Sequence, residues 1–232
     1  MIYIGVSGFS YEEWKGSVYP KGLSKGEYLR VYSNLFPATE INYTFYRFPS
    51  KQTSAKWASQ VPSHFRFSLK LNRRITHHKK LLHCNEEMGW FLRGINPLGP
   101  LLGCVLVQLP PWFKKDLQVL DGFLCKFSQR VSLAFEFRHV SWFSPEVAEL
   151  LRNHNVSLVI VESDKLQAVT LETGPFVYVR LRKADYCIQQ IEKWATWIRI
   201  QKSDVFVYFK HGSTAPIQAQ ALIQTLQLKG KQ

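Results

Sequence analysis

Two short stretches carry side chains suited to acid–base or charge-stabilising chemistry. Glu136-Phe137-Arg138-His139 ends one apolar β-like run, and Glu40-Ile41-Asn42 ends another. Side chains alternate in direction along a strand, so Glu136 shares a side with Arg138, and Glu40 with Asn42. Two carboxylates from different strands are what acid/base cleavage of a glycosidic bond uses. The same carboxylates beside Arg138 and Arg180 would instead form a buried ion-pair network, with their pKa values pushed down rather than up. The residues allow both readings.

Other apolar runs also stop on polar groups: Lys70, Gln108, Glu162 and Arg180. Facing outward, such side chains would meet apolar helices at considerable cost, so an inward direction is expected for Glu136 and Arg138. Arg180, Arg182, Lys183 and Lys210, with the Gly212-Ser213-Thr214 turn before the last helix, suit a phosphate held near a helix N-terminus. A helix cap at Ser213 or Thr214 is compatible with that. Glu40, Glu136, Glu162, His139 and His211 would be the ligands of a divalent ion. The chain has no His-x-His or His-Glu-x-x-His spacing, however, and no metal is expected. No Gly-x-Gly-x-x-Gly predicts a dinucleotide, no cofactor is expected, and Ser7 lacks the elbow of a serine hydrolase. Phe9, Tyr11, Trp14, Tyr43, Phe45, Tyr46 and Trp142 could stack on bases or sugars, or pack the loops as a lid.

The chain has 232 residues, 46% hydrophobic, with 30 Lys+Arg against 17 Asp+Glu and a formal charge of +13. Such an excess favours polyanions: nucleic acid, phosphorylated metabolites or anionic surfaces. General basicity is the plainer explanation. One dense cluster, Arg73-Arg74-Ile75-Thr76-His77-His78-Lys79-Lys80, follows a strand, and Arg180-Leu181-Arg182-Lys183 follows another. The four cysteines make no Cys-x-x-Cys pair, which argues against a structural zinc. Cys104 and Cys125 sit in apolar stretches and read as small core residues. No apolar run reaches the ~18 residues of a membrane span, and the first residues enter a strand pattern directly, so neither a membrane nor a signal peptide is expected. A reducing cytoplasm is the expected compartment.

Positioning these groups requires strands that all end on one side. Eight candidate strands run Ile2 to Ser7, Ala38 to Asn42, Phe65 to Leu71, Cys104 to Leu109, Leu133 to Phe137, Ser157 to Val161, Phe176 to Leu181 and Val205 to Phe209. Helix candidates alternate with them: Lys25 to Phe36, Thr53 to Gln60, Lys79 to Phe91, Asp116 to Phe127, Pro145 to His154, Asp185 to Gln201 and Ala215 to Leu228. Ser144 before Pro145 reads as a cap, as do Asp116 and Asp185. Ile188, Ile191, Trp194, Ala195 and Ile198 would line one helix face, Trp194 packing on the barrel. The alternation predicts an α/β fold, a single (β/α)8 TIM-type barrel domain over residues 1–232, with its site at the carboxyl ends of the strands.

The motifs carry a resemblance as well. Ile4-Gly5-Val6-Ser7-Gly8-Phe9-Ser10-Tyr11 with Trp14, Gly16, Tyr19 and Pro20 resembles the opening of the YecE-like family, called domain of unknown function 72. Glu40-Ile41-Asn42-Tyr43-Thr44-Phe45-Tyr46-Arg47 resembles its most distinctive block. Phe67-Ser68-Leu69-Lys70, Ile75-Thr76-His77, Gln108-Leu109-Pro110-Pro111 with Phe113, Glu136-Phe137-Arg138-His139 before Ser141-Trp142, and Tyr178-Val179-Arg180-Leu181 extend it along nearly the whole chain. The resemblance implies a TIM-type barrel and no particular reaction. This chain departs from the pattern at Arg182-Lys183, where Leu-His-Gly is usual, at Lys210-His211-Gly212-Ser213, where Asn-Asn-Asp is common, and at Glu162, where Asp is usual. The first two departures add positive charge to one half of the mouth and point to an anionic substrate.

The expected site therefore takes Glu40, Glu136 and Arg138 as catalytic groups. Asn42, Tyr46, Lys70, Gln108, His139, Trp142, Arg180, Lys210 and Gly212 are expected to bind substrate. The leading functional expectation is an enzyme acting on an anionic phosphoester or nucleic acid. A non-catalytic nucleic-acid-binding protein is the second, and a glycosidase-like carbohydrate enzyme the third.

Overall fold

The structure, a computed structural model, describes residues 1–165, 168–210 and 212–228. His211, one of the metal-ligand candidates above, lies outside the described residues. Eight parallel strands close into a barrel in chain order: β1 (Ile2–Ser7), β2 (Ala38–Ile41), β3 (Arg66–Lys70), β4 (Leu102–Gln108), β5 (Leu133–Glu136), β6 (Ser157–Glu162), β7 (Phe176–Leu181) and β8 (Asp204–Phe209). Around them lie α1 (Tyr28–Leu35), α2 (Tyr43–Tyr46), α3 (Lys51–Ala58), α4 (Asn85–Ile95), α5 (Leu117–Phe127), α6 (Pro145–Asn153), α7 (Ile188–Arg199) and α8 (Ala215–Leu228). The expected (β/α)8 barrel is present, and β8 returns to pair with β1 from Ile2↔Val205 to Val6↔Phe209.

The period of two sorts each strand into two cores. Val105, Val107, Phe135, Val177, Val179, Val205 and Val207 face outward and pack with the helices. Tyr3, Phe176 and Phe206 point inward and fill one end of the barrel, the Tyr3 and Phe206 rings stacked at 4.9 Å. Above them lie Cys104, Leu106, Ala134, Tyr178 and Tyr208. The inner row of β7 then runs Phe176, Tyr178, Arg180 and that of β5 runs Ala134, Glu136, so the apolar filling gives way to charge toward the carboxyl ends.

The β1–β2 seam is bridged by a side chain. The Val6 N–H donates to Tyr32 Oη at 2.8 Å, and that hydroxyl donates to Ala38 O at 3.0 Å. Gly5 makes room for the arrangement, since a Cβ there would fall 1.8 Å from Ala38 O.

Some sequence expectations are corrected. Cys104 is buried but Cys125 is exposed, because the apolar face of α5 is carried by Leu120, Phe123, Leu124 and Phe127. The helix expected from Lys79 begins only at Asn85. A wide turn at Arg74–His78 precedes it, and Lys80, Leu81 and His83 take left-handed φ values of 50°, 69° and 45° that break helical winding. Buried Glu87 anchors this loop through Arg74 at 3.0 Å and Lys79 at 2.8 Å. Asp116 caps α5 by accepting from the Val119 N–H, whereas Asp185 accepts from Gln218 and α7 starts at Ile188. Ser144 occupies the α6 cap position without a capping bond.

Candidate functional site

Beneath the mouth lies a charged cluster drawn from three strands. Arg180 of β7 donates through Nη1 to Glu136 Oε2 of β5 and through Nη2 to Glu40 Oε1 of β2, the latter at 2.8 Å. Glu40 also accepts from Ser7 Oγ, from Tyr178 Oη at 2.8 Å and from Asn42 Nδ2 at 3.3 Å. Glu136 accepts further bonds from Gln108 Nε2 at 2.7 Å and Arg138 Nε at 3.1 Å. Both carboxylates are buried, as is Arg180. Burial is the largest single effect and pushes each carboxyl up, but the partners together outweigh it: Arg180 and Arg138 hold Glu136 down at about 2, and Arg180, Ser7 and Tyr178 hold Glu40 below its ordinary value. Near neutrality neither has a proton to give. Their geometry fixes the Arg180 guanidinium and leaves the general-acid expectation for Glu40 and Glu136 without a proton to transfer.

Above this cluster opens a cavity of about 760 Å³. Its wall contains Lys70, Arg73, Arg138, Arg180, Arg182 and Lys210, together with Ser7, Asn42, Gln108, His77 and His78. Tyr11, Phe45, Tyr46 and Trp112 supply the rings. Among the described residues no carboxylate lines it. The crowding of like charge is visible in the titrating groups. Lys70 is lowered to about 8, by burial first and then by Arg180. Burial and then Lys70 and Arg138 lower His77 to about 4, so its imidazole is neutral at pH 7. Burial and Arg180 likewise lower Arg182.

Helix α2, which periodicity did not reveal, shapes this wall. Thr44 Oγ1 donates to Lys70 O at 2.7 Å and Asn72 Nδ2 donates to Thr44 O at 3.0 Å, which fixes α2 on the end of β3. Phe45 then lies beneath Lys70, whose Nζ is 4.0 Å from the ring centroid. At the rim, Arg73 lies over Tyr46 at 5.7 Å and Lys80 over Trp112 at 5.2 Å.

Of the sequence candidates, Asn42, Tyr46, Lys70, Gln108, Arg138, Arg180 and Lys210 meet around the cavity, and Glu40 and Glu136 lie under it. Three do not line it. His139 turns back, its Nδ1 accepting from the Ser141 N–H. Trp142 is buried, stacked on Phe137 at 4.7 Å and donating to Phe113 O. Gly212 offers its carbonyl to Trp14 Nε1 at 3.0 Å. Among the other expected rings, Trp14 is fully buried while Tyr11 and Phe45 line the cavity, so the aromatic set is partly wall and partly filling. Arg73, His77 and His78 carried a signal in the basic run after β3. Trp112 carried none.

Among the described residues, ligand-type groups do not converge at the mouth as a metal set. Glu162 accepts from Lys183 and Trp194, and His139 faces Ser141. On the outer surface, Asp121, Cys125 and His154 bring one donor atom each within 4.8 Å of one another, and Asp121 Oδ1 is bonded to His154 Nε2 at 2.7 Å. No helix among the described residues is long and apolar enough to cross a membrane.

Known proteins share this chain's sequence and architecture. A family model described as "Protein of unknown function DUF72" matches residues 3–232. UPF0759 protein YunF of Bacillus subtilis (strain 168) is 33% identical over 159 residues, covering 64% of this chain and 55% of YunF. UPF0759 protein YecE of Escherichia coli (strain K12) is 30% identical over 174 residues, covering 72% of this chain and 61% of YecE. The match thus spans less than two thirds of either relative's length. A crystal structure of a DUF72 family protein from Thermotoga maritima is similar over 100% of this chain and 98% of its own, with a TM-score of 0.74 at 29% identity.

Proposed function

The chain belongs to the DUF72 family, and on that footing we propose that its barrel mouth binds a phosphate-bearing substrate, either a phosphoester or a stretch of nucleic acid. One observation carries this reading. Among the described residues, six cationic side chains line the cavity above two carboxylates, both of them engaged by Arg180. Positive charge is therefore in local excess where a ligand would enter. Arg138, fixed through Nε on Glu136, presents a guanidinium suited to fork-like contact with phosphate oxygens, while Arg180, both Nη groups of which hold carboxylates, adds positive charge beneath it. In a reaction at phosphorus they would stabilise charge developing on those oxygens. Glu40 and Glu136 act as positioning residues, holding Arg180 rather than moving protons.

A second reading, nucleic-acid binding without catalysis, draws support from the rim. Tyr46 and Trp112 are 63% and 55% exposed, each beside a cation, an arrangement suited to stacking bases while the backbone is neutralised. The carbohydrate-hydrolase reading has the least support, because acid catalysis needs a protonated carboxyl and both carboxyls are held ionised.

The test is fluorescence anisotropy with a labelled single-stranded oligonucleotide, competed by a nucleoside monophosphate and by inorganic phosphate. Binding is expected to weaken with salt. Arg182→Gln and Lys210→Gln are each expected to lower affinity about tenfold and the salt slope by about one. Absence of salt-sensitive binding to any of these ligands, or unchanged affinity in both variants, would sink the proposal. Competition by the monophosphate as strong per molecule as that of the oligonucleotide favours a small phosphoester, and the reverse favours a strand.

A further inference from the structure

Lys70 stands apart from the other cations of the mouth. It leaves the end of β3 largely buried, its Nζ rests on the Phe45 ring, and Thr44 holds its backbone. Among the described residues no carboxylate or carbonyl accepts a hydrogen bond from Nζ. The nearby carboxylates Glu40 and Glu136 hydrogen-bond Arg180 rather than Lys70, and their favourable charge only partly offsets burial and the opposing charge of Arg180 and Arg138. An amine that is desolvated, next to guanidinium groups and not ion-paired is the setting in which lysine becomes a nucleophile.

We propose that Lys70 is a covalent nucleophile, condensing with a phosphate-bearing aldehyde or ketone bound in the mouth. This rests on the anion-binding reading above and narrows its substrate class. The Nζ lone pair adds to the carbonyl carbon, a C–N bond forms, and the C=O π pair moves onto oxygen. That oxygen takes up one proton from Nζ and one from solvent and leaves as water. The nitrogen lone pair closes the C=N⁺ bond, and no oxidant or reductant is consumed. The lowering of Lys70 to about 8 is consistent with this role, since roughly a tenth of the amine is then free at pH 7, against fewer than about one in a thousand for an ordinary lysine. The phosphate offsets the charge of the iminium among Arg138, Arg180 and Arg182.

Pyridoxal 5′-phosphate, an aromatic aldehyde with a phosphate, is the probe, with borohydride reduction to fix the imine and peptide mapping to locate it. The Lys70 peptide is expected to be labelled at least tenfold faster than any other lysine. Inorganic phosphate is expected to protect it, pyridoxal lacking the phosphate to label it about tenfold more slowly, and Lys70→Arg to lose the fast phase. Labelling spread over surface lysines, with Lys70 no faster, would overturn the proposal. If the probe still binds in a saturable, phosphate-sensitive way in that case, the anion site survives without the nucleophile. Equal labelling of Lys70 by both aldehydes, unprotected by phosphate, would overturn the substrate class and the anion site together.

Discussion

Arg180 makes the behaviour of single residues testable. Glu136→Gln leaves the buried guanidinium with Glu40 alone as a charged partner, and is expected to destabilise the fold by about 3–5 kcal/mol in urea melts. Both carboxylates are depressed in the folded state, Glu136 to about 2 from an ordinary 4.5. A depressed carboxylate stabilises above its unfolded pKa, so this contribution is complete above pH 4.5 and is lost as pH falls toward 2. His77 acts earlier. At about 4, against an ordinary 6.5, it binds protons less readily when folded, so stability falls between pH 6.5 and 4. His77→Gln should flatten the urea-midpoint profile in that upper window and leave the lower one intact; an unchanged profile would contradict the assignment. At this scale the sequence was informative at strand ends. Alternation carried Glu40, Gln108, Glu136, Arg138 and Arg180 to the mouth. It did not bear on His139, which it sets on the side opposite Glu136 and Arg138, or on Trp142, because past the end of β5 at Glu136 the direction of a side chain depends on what its loop packs against.

At the scale of elements, the β1–β2 seam gives the clearest case. Tyr32→Phe strands the Val6 N–H and removes a donor from Ala38 O, for an expected loss of about 2 kcal/mol in thermal or urea unfolding. Gly5→Ala should be worse, since its Cβ would meet backbone rather than a movable side chain. A Tyr32→Phe protein as stable as the parent would show that water replaces the hydroxyl. β1 and β7 start and stop where alternation and turn residues place them, and the other strands differ by one or two residues. The stretch after β3 was harder. Arg74–His78 and the left-handed residues beyond it answer to buried Glu87, a long-range anchor that local helix propensity does not report. Helix α2 was hidden for a similar reason: four residues are too few to show a period, and contacts with the end of β3 hold it.

For the whole molecule, eight βα units were legible because each strand repeats the same outward apolar row. The +13 charge was equally plain, but its local excess at the mouth was not, since the lining cations come from loops and strand ends far apart in the chain. The charge sets a further expectation. Burial first, and then repulsion from Arg180, lowers Lys70 to about 8, and a bound phosphate would relieve the repulsion and raise its pKa. Phosphate binding at pH 8 should therefore take up protons, measurable by calorimetry in two buffers of different ionisation enthalpy. Proton release would contradict the placement of the anion near Lys70.

The Arg180 contacts also have a mechanical side. Going round the ring from β2 to β5 is three strands, from β5 to β7 two, and from β7 back to β2 three. The guanidinium is thus the hub of a wheel with nearly even spokes. Squeezing the rim along any diameter must stretch or bend one of them. For a ligand bound at such a braced opening, little of the binding energy would need to be spent on shaping it.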